Sequence, residues 1–390
     1  MALSRRFLNL ILDNGAPGAK SLHCIDLTRQ HLFNTTPPSK PPNENRSESL
    51  GLEADTCNQK NMQVMKRSLK MDRIRLPRPL FNFVASRSGL NDQGKIDWFP
   101  LVDRRVICAD QWGRSFLVEA DRQRVVILPR LHEPKVMPIS LFIPSPYINK
   151  WDGSSGGSLY IMERNTKPGL GNQFEAFIYR NPDRISCFKS WDCRLIPPPP
   201  YVYDAKYMAM CPEITSYAVL GDGSNICISV DGVGTYCLDT RSHTWSEVGR
   251  WMLPFYGKVE YVPELKLWLG LSAKAQDLAA ADLSSMDSQP KLVGTCKEFD
   301  PPAEWEQCKD SQLVNLGSGK FCIARFFHTR TPNRATGDEL TEQNITVLTG
   351  LEVVRCFHDA DSNAEVELQM TPHKSRRYTT NGSNAIKTVF

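Results

Sequence analysis

The stretch Ile226–Pro254, ICISVDGVGTYCLDTRSHTWSEVGRWMLP, constrains this chain more than any other. Ile226, Ile228 and Val230 alternate with Cys227 and Ser229, and the residues are β-branched or small, as in a strand. Asp231-Gly232-Val233-Gly234 follows, where glycines supply the positive φ of a tight turn. Thr235–Leu238 resumes a strand. Asp239 ends it by offering its carboxylate to backbone N–H groups of the polar turn Thr240–Thr244, and Trp245–Val248 is the next strand. Three strands joined by two short turns make an antiparallel meander.

The same order recurs along the chain. Asp97–Val102, Arg105–Asp110, Ser115–Ala120 and Arg124–Leu128 predict one four-stranded unit, and Ile139–Ile143, Ser158–Glu163, Phe174–Arg180 and Ser190–Ile196 a second. Ser216–Leu220 opens the central unit. Gly257–Val262, Leu267–Ser272, Asp277–Leu283 and Lys291–Thr295 make a fourth; Gln312–Leu316, Lys320–Phe327, Ile345–Arg355 and Glu365–Met370 make a fifth. At the start, Phe7–Leu12, Ser21–Leu27 and His31–Phe33 read as three strands of a partial unit. Asp26, Asp121, Asn181, Asp239 and Asp282 stand at the turn position in successive units.

The order aromatic-x-hydrophobic-Asp, five polar residues, Trp resembles a kelch repeat, in which each repeat is one four-stranded propeller blade. The family's adjacent diglycine is here split into Gly232 and Gly234. The opening MALSRRFLNLILDN with SLHCIDLTRQHLFN, followed by a Pro-rich gap, resembles an uncharacterised plant family expanded in grasses, a domain of unknown function that is itself kelch-like. The resemblance implies an all-β kelch-like β-propeller of about six four-stranded blades, and it supplies no activity. A propeller closes by joining its ends, so the N- and C-terminal strands are expected to close the ring. The domain map is residues 1–34 as strands completing the closing blade, 35–78 as a disordered Pro/Ser-rich and then basic insertion, 79–370 as blades, and 371–390 as a polar C-terminal tail.

Composition fits this reading. The 390 residues suit one large ring, and 27 Pro with 24 Gly supply its turns. A net charge of +4 with mixed signs gives no strong pull toward nucleic acid or membrane. The basic stretch Lys66–Arg78 is read as a solvated linker. No apolar run reaches the roughly 20 residues of a membrane span. The 12 cysteines include no C-x-x-C, and with no secretory signal a reduced chain of the cytoplasm, the nucleus or both is expected.

The motifs that carry chemistry are absent. Seven scattered His show no H-x-x-x-H, so no metal is expected. Gly153–Gly157 precedes a strand rather than a helix and is read as a flexible turn, not a phosphate loop. Tyr201, Tyr203 and Tyr207 cluster without the paired His of a copper oxidase. No catalytic, cofactor-binding or metal residue is assigned. The function expected is a non-enzymatic, monomeric scaffold that holds a protein partner on its loops, among them Lys167–Gly171 and Arg330–Gln343. Trp112 and Trp151, which precede Gly-rich turns, are the candidate contact residues. Trp191 and Trp245 are expected to pack between units. The alternative is a propeller enzyme or carbohydrate-binding protein with a site on one face of the ring.

Overall fold

The computed structural model describes residues 5–16, 18–34, 71–85, 94–102, 104–148, 155–180, 190–221, 223–332, 340–356, 367–381 and 384–390. The chain is all-β. Among the described residues only Pro200–Tyr203 and Ala205–Tyr207 are helical, each a short 3-10 turn. No helix there is long and apolar enough to cross a membrane.

In chain order the strands are β1 (Phe7–Asp13), β2 (Ala19–Asp26), β3 (Asp72–Arg73), β4 (Phe81–Val84), β5 (Ile96–Pro100), β6 (Arg105–Asp110), β7 (Ser115–Glu119) and β8 (Arg124–Ile127). Then come β9 (Pro138–Ile148), β10 (Ser155–Glu163), β11 (Phe174–Arg180), β12 (Ser190–Leu195), β13 (Ile214–Leu220), β14 (Asn225–Val230), β15 (Gly234–Asp239) and β16 (Thr244–Gly249). The rest are β17 (Phe255–Val262), β18 (Leu267–Ser272), β19 (Leu278–Ala281), β20 (Leu292–Cys296), β21 (Glu306–Gly317), β22 (Lys320–Pro332), β23 (Leu340–Cys356), β24 (Glu367–Asn381) and β25 (Ile386–Val389).

These strands form four-stranded antiparallel units: β5–β8, β9–β12, β13–β16, β17–β20 and β21–β24. The units β13–β16 and β17–β20 join through a parallel pairing of β13 with β17, and β3 adds to the edge of β24. A further unit has the order β25-β1-β2-β4, so the C-terminal strand lies beside the first strand. Leu10 pairs with Val389, and Asn9 and Phe390 exchange backbone hydrogen bonds at 2.8 and 3.0 Å.

Packing explains the sequence pattern. In β14, Ile226, Ile228 and Val230 pack toward Leu141, Tyr160 and Phe174 of the preceding unit. Cys227, on the opposite face, packs with Phe255 and Trp268 of the following unit. Both faces of the sheet are therefore buried, which is why the positions between the large apolar residues are small rather than charged. Each unit repeats this. Leu117 packs with Leu159 and Phe177, and Leu278 with Phe321. Ile11 packs with Val106 and Val118, and Leu8 and Leu10 with Leu316 and Phe326. The contacts run from each unit to the next, and β21–β24 packs against β1.

Several expectations need correction. His31–Phe33 is not a strand; Leu32 is buried in the core, but the unit is completed by β4 and β25. The expected tail over 371–390 instead supplies strand: residues 371–381 form the second half of β24, and Ile386–Val389 forms β25. All described residues of Arg330–Gln343 extend β22 and β23 as strand. Ser155–Gly157 belongs to β10 rather than to a turn; a Cβ on Gly157 would meet the Ile143 carbonyl oxygen at 2.4 Å, so these glycines permit close strand approach. The expected insertion lies outside the described residues over 35–70. Its end does not: Ile74 is buried and donates its N–H to Arg377 O at 2.7 Å.

The turn residues behave as their chemistry requires. Asp239 accepts backbone N–H bonds from Arg241 and Ser242 at 2.7 and 2.9 Å, and Asp26 and Asp282 do the same for Thr28 and Ser284. Asp121 instead pairs with Arg104.

Candidate functional site

The first strands of five units, β5, β9, β13, β17 and β21, together with β25, line one cavity of about 430 Å³. Trp98, Phe142, Tyr217 and Tyr256 supply aromatic walls, and Arg5, Arg164, Lys258, Glu260, Lys309 and Asp310 supply charge.

Arg164 follows β10 and reaches across to β21. Its guanidinium pairs with Asp310, lies 3.8 Å from Glu213 Oε1 and donates to Tyr256 Oη at 3.2 Å. Tyr256 Oη in turn donates to Glu213 Oε1 at 3.2 Å. Burial, with the nearby negative charge of Asp310 and Glu213, pushes the Tyr256 phenol up to about 12, so it stays a neutral donor. Lys258 and Glu260, two apart on β17, pair at 2.6 Å. Lys309 differs: burial, and then the like charge of Lys387, push its ammonium down to about 8. Its hydrogen-bond acceptor is the Lys387 carbonyl oxygen at 3.5 Å.

A second polar cluster lies between units. Glu175 on β11 accepts the buried Lys135 ammonium, the His132 and Glu133 backbone N–H groups at 2.8 and 3.3 Å, and the Cys193 thiol at 3.4 Å; His132 Nδ1 lies 2.7 Å away. The ligand atoms of His132, Glu175 and Cys193 lie within 4.8 Å of one another. A cation there would sit beside the fully buried Lys135 ammonium on a carboxylate whose lone pairs are already engaged. Burial also pushes the Cys193 thiol up, away from the thiolate a metal needs. This cluster fastens the 128–137 connection to β11.

The candidate contact residue Trp112 is 46% exposed, on the turn between β6 and β7. Asp110 Oδ1 accepts its backbone N–H at 2.9 Å, and Arg130 donates to its carbonyl at 2.7 Å. Trp151 lies outside the described residues. Of the clustered tyrosines, Tyr201 and Tyr207 are buried and only Tyr203 is exposed. Arg164, Tyr256, Lys309 and Asp310 were not singled out by sequence. For Tyr256, Lys309 and Asp310 the signal is a charged or polar residue near the start of a unit's first strand, and Lys309-Asp310 lay upstream of where that strand was read to begin; Arg164 follows a second strand and carries no such signal.

Trp112 belongs to a larger face. Connections from the second to the third strand of a unit, and from one unit to the next, leave from the same end of the sheets. Backbone hydrogen bonds tie these connections together: Leu131 N to Gly113 O at 2.9 Å, Arg164 N to Met137 O at 3.3 Å, Thr166 N to Pro212 O at 3.1 Å and Asp231 N to Glu213 O at 2.9 Å. They carry exposed Trp112, Val136, Met137, Leu170, Tyr203, Met208 and Met210.

No curated protein matches this chain. Among solved structures, a protein of unknown function from Bacteroides thetaiotaomicron is 9% identical, with 63% of this chain and 54% of that one covered and a TM-score of 0.30. The Cps50 (Swd1) β-propeller domain of Myceliophteria thermophila is 12% identical over 51% of this chain and 58% of its own, with a TM-score of 0.29. The chain thus spans little more than half the length of either. A protein from Lactobacillus plantarum is 10% identical over 98% of both chains, with a TM-score of 0.38. A model described as protein of unknown function, DUF1668, matches residues 5–378, and the chain belongs to that family.

Proposed function

We propose that the units are the six blades of a kelch-like propeller, closed by β25 beside β1, and that the propeller is a non-enzymatic scaffold for a protein partner. The packing of each unit on the next, and of β21–β24 against β1, supports the ring. One observation carries the scaffold reading. Among the described residues, the large apolar side chains exposed on connections, rather than on strands, gather on a single end of the sheets, from Trp112 to Met210. Exposed aromatic and Met side chains on loops held by a rigid framework are suited to contact another protein. The partner docks there on a monomer, without metal or cofactor. Cys108, Cys227 and Cys322 serve as buried core residues with free thiols, which supports a reducing compartment, the cytoplasm or nucleus.

The test is site-specific photocrosslinking in cells of origin. A photoreactive residue at Met208 or Tyr203 should capture one protein species. The same residue at the exposed Glu264, on the connection between β17 and β18 at the opposite end, should not. Equal capture from both ends, or none from Met208 and Tyr203, refutes the docking face. Stoichiometric metal in the purified protein, or turnover of a glycoside panel, would favour an enzyme or carbohydrate binder instead.

A further inference from the structure

The charges of the central cavity are unequally matched. Arg164 is neutralised by Asp310, and Lys258 by Glu260. Around Lys309 the balance differs. Asp13 on β1 is shared between Lys20 on β2 at 2.6 Å and Lys387 on β25 at 2.8 Å. Asp97 on β5 is paired with Lys95 at 2.9 Å. Among the described residues, Lys309, Lys20 and Lys387 therefore gather three ammonium groups around Asp13, while Asp97 is held by Lys95. An ammonium has three donors. The polar contact of Lys309 is one carbonyl oxygen at 3.5 Å, and the Phe326 ring lies 5.6 Å from its nitrogen. A surplus of positive charge beside a partly desolvated cavity favours an anion more strongly than the same charge in open water.

The volume and the walls narrow the class. About 430 Å³ falls within the range of small-molecule sites, and the lining combines aromatic rings with charged and polar side chains. Tyr217 and Tyr256 come from adjacent units and line the same space as Lys309. We propose that the central cavity binds a small organic anion, its carboxylate or phosphate head on Lys309 and its apolar body within the aromatic walls of Trp98, Phe142, Tyr217 and Tyr256.

The depressed Lys309 ammonium gives this proposal a distinctive readout. In the free protein it is mostly deprotonated above pH 8, held down by burial and by Lys387 and Lys20 against the opposing influence of Asp13 and Cys308. An anion seated on it restores the charged form, so binding must take up a proton above pH 8 and take up less as pH falls below that value.

The experiment is titration calorimetry on the full chain with benzoate, phenyl phosphate and the neutral benzamide, in two buffers of different ionisation enthalpy. The two anions test the head group on a common body. Saturable binding of at least one anion, with proton uptake above pH 8 and benzamide at least about 10-fold weaker, is the expected result. Lys309→Met should weaken the anion about 10-fold or more and abolish proton uptake. Lys309→Arg should keep binding and lose the uptake, since a guanidinium does not deprotonate. Absence of saturable anion binding, benzamide binding as tightly as the anions, or a folded Lys309→Met variant that binds like the native chain would each overturn the proposal. If Lys309→Met does not fold, the Arg variant decides. Proton uptake that persists in it would assign the titration to another group and overturn the role of Lys309.

Discussion

Trp245 donates its indole N–H to the carbonyl oxygen of Pro197, 48 positions earlier, at 2.7 Å. The bond crosses from β16 to the exit of the preceding unit. The Trp245 ring also lies edge-on to Phe174 of that unit, with centroids 5.7 Å apart. One side chain thus joins two sheets by a polar and an apolar contact.

Trp245→Ala is expected to cost about 2–3 kcal/mol. This is below the range for a fully buried large aromatic, because the ring is only half-buried. Trp245→Phe keeps most of the ring contact and loses the bond, so it should cost about 1 kcal/mol. Urea unfolding of both variants checks the order. An alanine loss below about 0.5 kcal/mol, the level of ordinary surface changes, would mean that the ring does not hold the units together.

The split glycines of the central turn should differ. Gly234 has φ 139°, and a Cβ there would meet the Gly249 carbonyl oxygen at 2.5 Å. Gly232 has φ 67°, and its Cβ would come no closer than 4.0 Å to Met210 Cε. Gly232→Ala should therefore cost about 1–2 kcal/mol from backbone conformation alone. Gly234→Ala adds a clash with backbone and should cost about 1–3 kcal/mol more. Equal losses in a thermal melt would show that the sheet relaxes around Gly234.

How much could be read from sequence depends on which residues face a neighbouring sheet. The strands β6, β7, β11, β14 and β18 were legible because both their faces are largely buried, and apolar or small residues dominate them. β24 was cut short because it is an outer strand with no fully buried residue and a polar sequence, ELQMTPHKSRRYTTN. The head of β21 was missed for a related reason. Lys309 and Asp310 face a polar cavity, so no hydrophobic alternation announces them. The candidate site was illegible for the same cause: its residues come from separate units far apart in sequence, and only the packing of those units brings them to one cavity.

Glu175 should govern acid stability. Burial alone would raise its carboxyl, but bonds from Lys135 and from the His132 backbone and ring outweigh it, and the net shift is downward. A depressed carboxyl contributes stability that is fully present above the unfolded value near 4.5 and is lost as pH falls through the lower folded value. Glu175→Gln leaves Lys135 buried without its counter-charge and should cost about 3–5 kcal/mol at neutral pH. It should also flatten the acid limb of the stability curve. A variant with unchanged neutral stability and an unchanged acid limb would remove Glu175 from this role.

Closure through β25 gives the most severe prediction. Ile386 and Val389 are buried with Leu8 and Leu10, and Phe390 is buried beside Ile11. Deleting residues 384–390 removes these side chains and exposes the hydrogen-bonding edge of β1. Burial of each large apolar side chain contributes about 1.5–3 kcal/mol. Three of them approach the whole stability of a domain, about 5–15 kcal/mol. The truncated chain should therefore melt without cooperativity and elute as aggregates, since an uncovered strand edge templates association. Val389→Asp separates the two effects. It keeps the strand length and the edge covered while placing a charge in the core, so it should lower the melting temperature and leave the protein monomeric. A truncated chain that stays monomeric and melts like the full chain would show that β25 is an appendage and that the cycle of sheets does not depend on it.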